Sequence, residues 1–273
     1  KRFIKSLCGL MLTLKLYDQN KSRNIEFKNV TYTRDDREKF GNIIPLNVTS
    51  IGEKCFNWCS YLSSITIPLG VTSFSDWCFS GCSSLSSMII PSSVTSIGYQ
   101  CFSYCNSLKS ITIPPSVTSI DNYCFYGCDS LSSVTIPSTV SSIGNHCFGF
   151  CSSLSSVTIP SNVTSIKDSC FYGCSSLKSI TIPLSVKTID CKCFSKCSSL
   201  SSVFIPSSVK SIGAFCFSYC SKLSSVVIPS NVTSIGDYCF YECNNLSSVT
   251  ITSNVTLAGS YCFPSNTIVQ HCY

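Results

Sequence analysis

A repeat of 23 residues limits what this chain can fold into more than any other feature of its sequence. The stretch IPSSVTSIGYQCFSYCNSLKSIT, residues 90–112, is followed at once by IPPSVTSIDNYCFYGCDSLSSVT, residues 113–135. A proline recurs with this period from Pro45 onwards, and a Cys-Phe pair keeps the same period from Cys55 onwards. A unit of this length is too small to enclose a core, so its apolar side chains must be buried against neighbouring units. The period therefore predicts one elongated array rather than compact domains.

The places where the pattern begins and ends divide the chain into three parts. We predict an N-terminal cap segment over residues 1–44, an array of about nine to ten repeats over residues 45–263, and a C-terminal cap over residues 264–273. In the last copy Thr252 stands where the other copies have proline, and Ala258 stands where all but one of them have isoleucine. This loss of the pattern indicates that the last copy closes the array.

The N-terminal segment contains an apolar stretch, SLCGLMLTLKL, with two interpretations. It follows basic residues and is faintly similar to a signal peptide, but Lys15 interrupts it and no small-residue cleavage site follows. We favour an apolar capping strand, because leucines alternate with other residues. These leucines are Leu10, Leu12, Leu14 and Leu16.

Within one repeat, the residues before the proline have the pattern of a strand. In LSSVTIP, the apolar Val134 and Ile136 alternate with the polar Ser133 and Thr135, which is typical of a half-buried strand. In the following stretch, residues 140–151, apolar side chains are spaced by three and four residues, which indicates a short helical turn. Stacking these units predicts one parallel β-strand per repeat, about 4.8 Å from the next, with helical turns on the opposite wall.

Cysteine is unusually abundant, with 22 in the chain, and 19 of them form two columns that start at Cys55 and Cys59. Because these positions face the inside of the helical turn, we predict buried free thiols and a reducing compartment. A disulfide framework is the alternative, but side chains stacked in parallel fit its dihedral angle poorly. Zinc is a weaker alternative, because there are no paired CxxC knuckles and His146 and His271 are the only histidines. We therefore expect no metal and no cofactor.

The charge distribution argues against a nucleic-acid partner. Residues 1–44 contain ten Lys or Arg against five acidic residues, whereas the rest of the chain contains nine lysines against eight acidic residues. The array is thus nearly neutral and lacks the basic stripe that phosphate binding needs. No run of 18 apolar residues is present, so we also expect no membrane span.

The pattern LxxVxIPxxVxxIGxxCFxxCxxL across residues 44–263 resembles the BspA-type leucine-rich repeat, with Cys where that family more often has Ala before Phe. The resemblance implies an α/β leucine-rich-repeat solenoid that is right-handed, carries a parallel sheet along one face and binds proteins. Bacterial members of the family are surface proteins associated with adhesion. A shared fold does not by itself assign a partner.

Two columns of the predicted strand face solvent, and the second one varies. The first column is serine in all nine copies, from Ser64 to Ser248, which leaves little capacity to discriminate between partners. The second column is mostly threonine, but Ile89, Phe204 and Val227 break the series. Phe204 and Val227 fall on adjacent repeats and should form a small exposed apolar patch that can anchor a protein. Neutral variation at a tolerant strand position is the competing interpretation.

A short motif in the N-terminal segment suggests a particular partner. In KSRNIEFKNV, Arg23, Ile25 and Phe27 are similar to the basic-x-Val/Ile-x-Phe pattern through which many regulatory subunits dock on the catalytic subunit of the type-1 serine/threonine protein phosphatase. Such an extended segment adds to a sheet edge while alternate apolar side chains fill pockets. The pattern is degenerate, and Ile25 and Phe27 could instead point inward to seal the first repeat.

Nothing in the sequence has the arrangement of an active site. The carboxylates are scattered singly, and no histidine has a periodic carboxylate and serine beside it. We therefore expect a non-catalytic protein-interaction scaffold, docked on the phosphatase and located in the cytoplasm, with or without plasma-membrane association. The alternative is a cell-surface adhesin that binds host or matrix proteins, which six N-x-[ST] sequons weakly favour.

Overall fold

The computed structural model describes residues 29–252 and 257–272, together with the backbone of Leu12–Thr13. Each repeat makes one turn of a parallel β-solenoid, which we call a rung. Strands of neighbouring rungs pair in register at an offset of 23 residues, as in Ser110 with Ser133 and Ser165 with Thr188. The predicted leucine-rich-repeat solenoid is therefore confirmed.

Two strand ladders run along the solenoid, although the sequence predicted one. The post-proline ladder, which follows the proline of each repeat, consists of β3 (Ser50–Ile51), β4 (Ser73–Phe74), β5 (Ser96–Ile97), β7 (Ser119–Ile120), β9 (Ser142–Ile143), β10 (Ser165–Ile166), β12 (Thr188–Ile189), β14 (Ser211–Ile212), β16 (Ser234–Ile235) and β18 (Leu257–Ala258). The pre-proline ladder consists of β6 (Ser110–Thr112), β8 (Ser133–Thr135), β11 (Ser179–Thr181), β13 (Ser202–Phe204), β15 (Ser225–Ile228), β17 (Ser248–Thr252) and β19 (Ile268–Cys272).

The repeated proline separates the two ladders. Pro114, for example, has no N–H to donate to a ladder, and its carbonyl accepts a hydrogen bond of 3.0 Å from the N–H of Val117. This tight turn redirects the chain from β6 to β7. The second ladder was missed because only two residues of each post-proline segment pair as a strand, too few to show an alternation.

The remaining part of each rung is a run of hydrogen-bonded turns, which we call the turn wall. The N–H of Cys55 donates to the carbonyl of Gly52 at 3.2 Å, and the N–H of Cys59 donates to that of Phe56 at 3.1 Å. These segments are turns rather than helical turns because Lys54 and Trp58 have positive φ angles of 54° and 56°. A left-handed residue interrupts an α-helix.

The core consists of columns of identical side chains. The rings of Phe125, Phe148 and Phe171 stack nearly parallel, with centroids 5.4 and 5.6 Å apart, and the column continues in both directions. All 19 cysteines of the two columns are buried, as the sequence predicted, and none of them forms a disulfide. Thiols of the second column donate to the phenylalanine carbonyl of the preceding rung, as Cys151 does to Phe125 at 3.2 Å. The thiol thus fills the core and also links two rungs.

The N-terminal cap closes one end of this core. It contains β1 (Leu12–Thr13), β2 (Val30–Tyr32) and a helix, α1 (Arg34–Phe40). Thr33 and Asp36 form a capping box that begins α1, and the hydroxyl of Tyr32 donates to the carbonyl of Gly41 at 2.7 Å. The ring of Tyr32 stacks on Phe56 at 6.3 Å and so begins the aromatic column. The other leucines of the predicted capping strand lie outside the described residues.

Candidate protein-binding surfaces

Phe204 and Val227 are exposed on the pre-proline ladder, with exposed fractions of 69% and 57%. Phe204 ends β13 and pairs in register with Thr181, whereas Val227 lies in β15 opposite Thr250. Strands β13 and β15 are neighbours, so the two apolar side chains are on adjacent rungs of the same outward column. We call this pair the ladder patch.

Ile89 lies on the same column but far from the ladder patch. It is 85% exposed and lines a groove of about 730 Å³ with Leu69 and Pro115. Five rungs separate Ile89 from Phe204, which corresponds to roughly 24 Å along the solenoid. The structure therefore does not bring the three predicted residues of this column together.

Arg23, Ile25 and Phe27, the residues of the predicted docking motif, lie outside the described residues. What the structure describes nearby is the second half of the cap. There Arg37 donates to the hydroxyl of Tyr61 at 3.2 Å and to the thiol of Cys59, and so ties α1 to the first rung.

The turn wall carries a feature that the sequence did not predict, a stripe of aromatic side chains on a left-handed backbone. Two positions of each rung have positive φ, and 16 residues other than glycine occupy them among the residues described. Such a backbone costs roughly 1–2 kcal/mol per residue. It is held in place because these residues donate their N–H groups to the next rung, as Phe150 does to Tyr172 at 2.6 Å.

Glycine alternates with large side chains at the second of these positions. Trp58, Tyr104 and Phe150 alternate with glycines at 81, 127 and 173, which have φ of 73°, 70° and 72°. A Cβ atom at Gly127 would lie 2.8 Å from Cδ1 of Tyr104, so each ring covers the glycine of the following rung. The alternation ends at Lys196, where a lysine stands in place of an aromatic residue.

This interruption opens a cleft of about 470 Å³, which we call the lysine cleft. The rings of Phe150 and Tyr172 line one side of it and those of Phe215 and Tyr219 line the other, with Lys192 and Lys196 between them. The Nζ of Lys196 lies 5.4 Å from the centroid of the Tyr172 ring, and the Nζ of Lys192 lies 5.9 Å from that of Phe215. The signal in the sequence was the uneven spacing of lysine, since seven of the nine array lysines fall within residues 167–222.

His146, Asp168 and Ser169 also meet in this cleft, which the sequence did not anticipate. The Nε2 of His146 lies 3.9 Å from Oδ1 of Asp168, but the hydroxyl of Ser169 donates to that same carboxylate at 2.6 Å. The pKa of His146 is lowered, mainly by burial, with Asp168 opposing and Lys192 adding to the shift. Because the serine hydroxyl bonds the carboxylate and not the imidazole, this trio lacks the arrangement that activates a serine nucleophile.

Burial makes thiols of the second column, such as Cys82 and Cys128, unreactive. Burial raises the pKa of Cys82 and of Cys128 to about 12, with weaker contributions from neighbouring charges and hydrogen bonds. A thiol with such a pKa holds its proton at neutral pH and is a poor nucleophile and metal ligand. In the part of the chain that the structure describes, no three His, Cys, Asp or Glu side chains come together as a metal site.

The comparisons with known proteins agree with this architecture. The sequence profile of the BspA type Leucine rich repeat region matches residues 37–155 and 141–269 with six copies of the repeat. The chain belongs to this family. No curated protein is similar enough to count as a match. Proteins of this family serve broadly as leucine-rich-repeat scaffolds for binding.

Solved structures of bacterial leucine-rich-repeat proteins share the fold. A leucine-rich repeat protein from Bacteroides ovatus is 24% identical, with a TM-score of 0.55 over 92% of this chain and 85% of that one. The T. pallidum leucine-rich repeat protein is 28% identical, with a TM-score of 0.55 over 59% of this chain and 78% of that one. The pneumococcal vaccine antigen PcpA is 17% identical, with a TM-score of 0.51 over 93% of this chain and 71% of that one.

The only helix among the described residues, α1, is far too short and polar to cross a bilayer, so that part of the chain contains no transmembrane helix.

Proposed function

We propose that this chain is a non-catalytic protein-interaction scaffold that binds a partner through the ladder patch. The observation that carries this proposal is the exposure of Phe204 and Val227 on neighbouring rungs, in a column that is otherwise almost entirely threonine. Apolar side chains next to one another on a rigid ladder can anchor an apolar loop or strand of another protein, while the surrounding hydroxyls satisfy its polar rim.

The test exploits the residues that the chain itself uses at the same place on other rungs. Phe204→Thr with Val227→Thr restores the threonine of Thr181 and Thr250, so the backbone should be unaffected. A photo-cross-linking amino acid is placed at position 181 in both chains. The chain that retains Phe204 and Val227 should capture a partner from native lysate, and the double variant should not. The matched control, Ile89→Thr, removes an even more exposed apolar side chain of the same column, five rungs from Phe204, and should leave capture intact. Equal capture by the double variant contradicts the proposal.

A second hypothesis concerns the type-1 serine/threonine protein phosphatase. It rests on the sequence of Arg23, Ile25 and Phe27 and on their place beside most of the positive charge of the chain. In this hypothesis the segment adds to a sheet edge of the catalytic subunit, with Ile25 and Phe27 in two pockets and Arg23 against acidic groups.

Binding of the purified catalytic subunit, measured by calorimetry, tests this hypothesis. Ile25→Ala with Phe27→Ala should abolish binding, whereas Phe40→Ala with Ile43→Ala, a pair of exposed apolar residues in the described part of the cap, should not. Unchanged affinity in a folded Ile25→Ala, Phe27→Ala variant removes the phosphatase from consideration.

The alternative function is that of a cell-surface adhesin. Family membership supports a surface location, whereas the cytoplasmic location, with or without plasma-membrane association, rests on the buried free thiols alone. Two sequon asparagines, Asn162 and Asn231, use their Nδ2 atoms to donate to carbonyls of the preceding rung at 2.7 Å, which competes with glycan attachment there. Surface biotinylation of intact cells, together with mass spectrometry of the remaining sequons, distinguishes the two locations.

A further inference from the structure

The lysine cleft is the place where the regular pattern of the turn wall fails. In the three preceding glycine-bearing rungs, a ring covers each glycine. At Lys196 the ring is replaced by a flexible ammonium group, and the aromatic stripe resumes only at Phe215 and Tyr219. Two groups of rings therefore face each other across Lys192 and Lys196.

The two lysines lack the partners that surface lysines usually find. Among the described residues, neither has a carboxylate within ion-pair distance, because Asp168, the carboxylate of the cleft, is directed at His146 and Ser169. Residues 167–222 contain seven lysines and two aspartates, so the whole region carries an excess of five positive charges. Both ammonium groups lie near aromatic rings, and Lys196 also forms a side-chain hydrogen bond with Tyr172; these contacts are with uncharged groups and leave room for a stronger anionic partner.

The backbone of the turn wall is not available for recognition. The N–H of Lys196 donates to the carbonyl of Ser218 at 2.8 Å, and the N–H of Lys192 donates to that of Ala214 at 2.9 Å. A ligand must therefore be recognised by side chains: two ammonium groups, the tyrosine hydroxyls and the ring faces. Tyrosine-rich surfaces with basic residues are typical of sites that bind peptides, since the rings supply contact area at a low cost in conformational entropy.

We propose that the lysine cleft binds an acidic segment of a partner protein, with carboxylate or phosphate groups between Lys192 and Lys196 and flanking apolar side chains on the rings. This inference builds on the proposed protein-binding function and assigns a second surface to it, on the turn wall and not on the pre-proline ladder that carries the ladder patch. Charge complementarity selects the acidic segment, and the rings on both sides select one that also carries aromatic or other apolar residues.

The chain offers substitutions that remove the charges without straining the backbone. Lys196→Gly places glycine where Gly173 stands on the preceding rung, and Lys192→Gln places glutamine where Gln100 stands with a φ of 52°. The matched control is Lys187→Thr with Lys210→Thr, which removes the same charge from the exposed positions directly before β12 and β14 and installs the residue found at the equivalent positions Thr164 and Thr233. Circular dichroism verifies that each variant is folded.

The probe is a fluorescein-labelled peptide of alternating glutamate and tyrosine, compared with a version in which glutamine replaces glutamate and one in which phosphoserine does. Fluorescence anisotropy should show binding of the glutamate or phosphoserine peptide to the unaltered chain and to the Lys187, Lys210 control. We expect about tenfold weaker binding to the Lys192→Gln, Lys196→Gly variant. The glutamine peptide should not bind. The tighter-binding peptide of the other two shows whether the cleft prefers carboxylate or phosphate groups.

Three results overturn the proposal: equal affinity of the cleft variant, an equal loss in the control variant, or preferential binding of heparin through the same lysines, which would indicate an acidic sugar chain instead of a protein. The Phe204→Thr, Val227→Thr variant separates this inference from the proposed function. If it loses its cross-linked partner while no acidic peptide binds the cleft, the scaffold proposal holds and the cleft proposal fails.

Discussion

The strand ladders and the turn wall share one 23-residue period but differ in how much variation they accept. On the pre-proline ladder, the outward columns of the nine repeat copies are serine and threonine with three exceptions. On the turn wall, equivalent positions hold residues as different as Lys54, Trp77, Gln100 and His146. In both regions backbone groups form hydrogen bonds between rungs whatever the outward side chain is, so the outward positions can vary. Either the strand ladders or the turn wall can therefore carry a binding surface, whereas stacking between rungs restricts the inward columns to one kind of side chain.

The largest expected effect is unfolding at high pH, because ionisation of the buried thiols would destabilise the core that the ladders and the turn wall share. Burial raises the pKa of 14 column thiols above that of an ordinary cysteine. In the unfolded chain these thiols lose protons above a pH of roughly 8.5, whereas the folded chain keeps them, so the free energy of unfolding falls as the pH rises.

Stability from these thiols should be fully present below about pH 8 and should be lost cooperatively between about pH 9 and 11, because each contributes up to ~1.4 kcal/mol per pH unit. Far-UV circular dichroism against pH measures the loss, and thiolate absorbance should rise in the same step. Formation of more than three thiolates per chain at pH 9 while the chain remains folded would contradict buried, protonated columns, because only three of the 22 cysteines lie outside them.

The next largest effect is a difference in unfolding free energy between an inward and an outward phenylalanine of the same rung. Phe148 is fully buried between two stacked rings, whereas Phe150, two residues later, is 40% exposed. Phe148→Ala should lower the free energy of unfolding by about 3–5 kcal/mol through the cavity it leaves. Phe150→Ala should lower it by less than about 1 kcal/mol. Urea denaturation compares the two, and equal losses would mean that the outer stripe is as structural as the core.

A smaller effect tests the pairing of rings with glycines on the turn wall. Gly127→Ala adds a Cβ atom at a φ of 70° and against the ring of Tyr104, so we expect a loss of about 1–2 kcal/mol in unfolding free energy. The control is Gly127→Ala in a Tyr104→Ala background, which keeps the positive φ at position 127 and removes the ring that the added Cβ would meet. A greater loss with Tyr104 present supports a role for the ring, and identical losses in the two backgrounds would reduce it to backbone strain alone.

The smallest effect should come from the ladder patch. Phe204→Thr with Val227→Thr should change the free energy of unfolding by no more than about 0.5 kcal/mol, since both side chains are exposed. Thermal unfolding measures this change. A loss of several kcal/mol would show that the patch supports the fold, and it would weaken its assignment to binding.

The sequence predicted the period, the buried columns and the solenoid because every inward position recurs in register. It did not predict the conformation of the turn wall, since the spacing of apolar residues in CFxxC fits a helical turn and side chains such as Trp58 do not reveal a positive φ. The glycines at 81, 127 and 173 were the visible signal of a left-handed position. Their alternation with aromatic residues could have been recognised.

The two candidate surfaces differ in the same respect. The ladder patch could be predicted because Phe204 and Val227 share one column, so the period alone makes them neighbours. The lysine cleft could not, because it depends on how far Lys192 and Lys196 reach towards the rings of Phe215 and Tyr172 on adjacent rungs. The length of a side chain and the direction of a left-handed backbone decide that contact, and neither is encoded in a repeat register.

The alternation of ring and glycine makes the rungs between Trp58 and Gly173 come in complementary pairs. Removal of a single 23-residue copy from this part of the gene would bring two large side chains, or two glycines, into adjacent positions. Removal of two copies would restore the order. Gene conversion and unequal recombination within this stretch therefore preserve the pairing of ring with glycine only in steps of two repeats, whereas the segment from Lys196 onwards, where Tyr219 and Glu242 follow on successive rungs, has no such pairing to preserve.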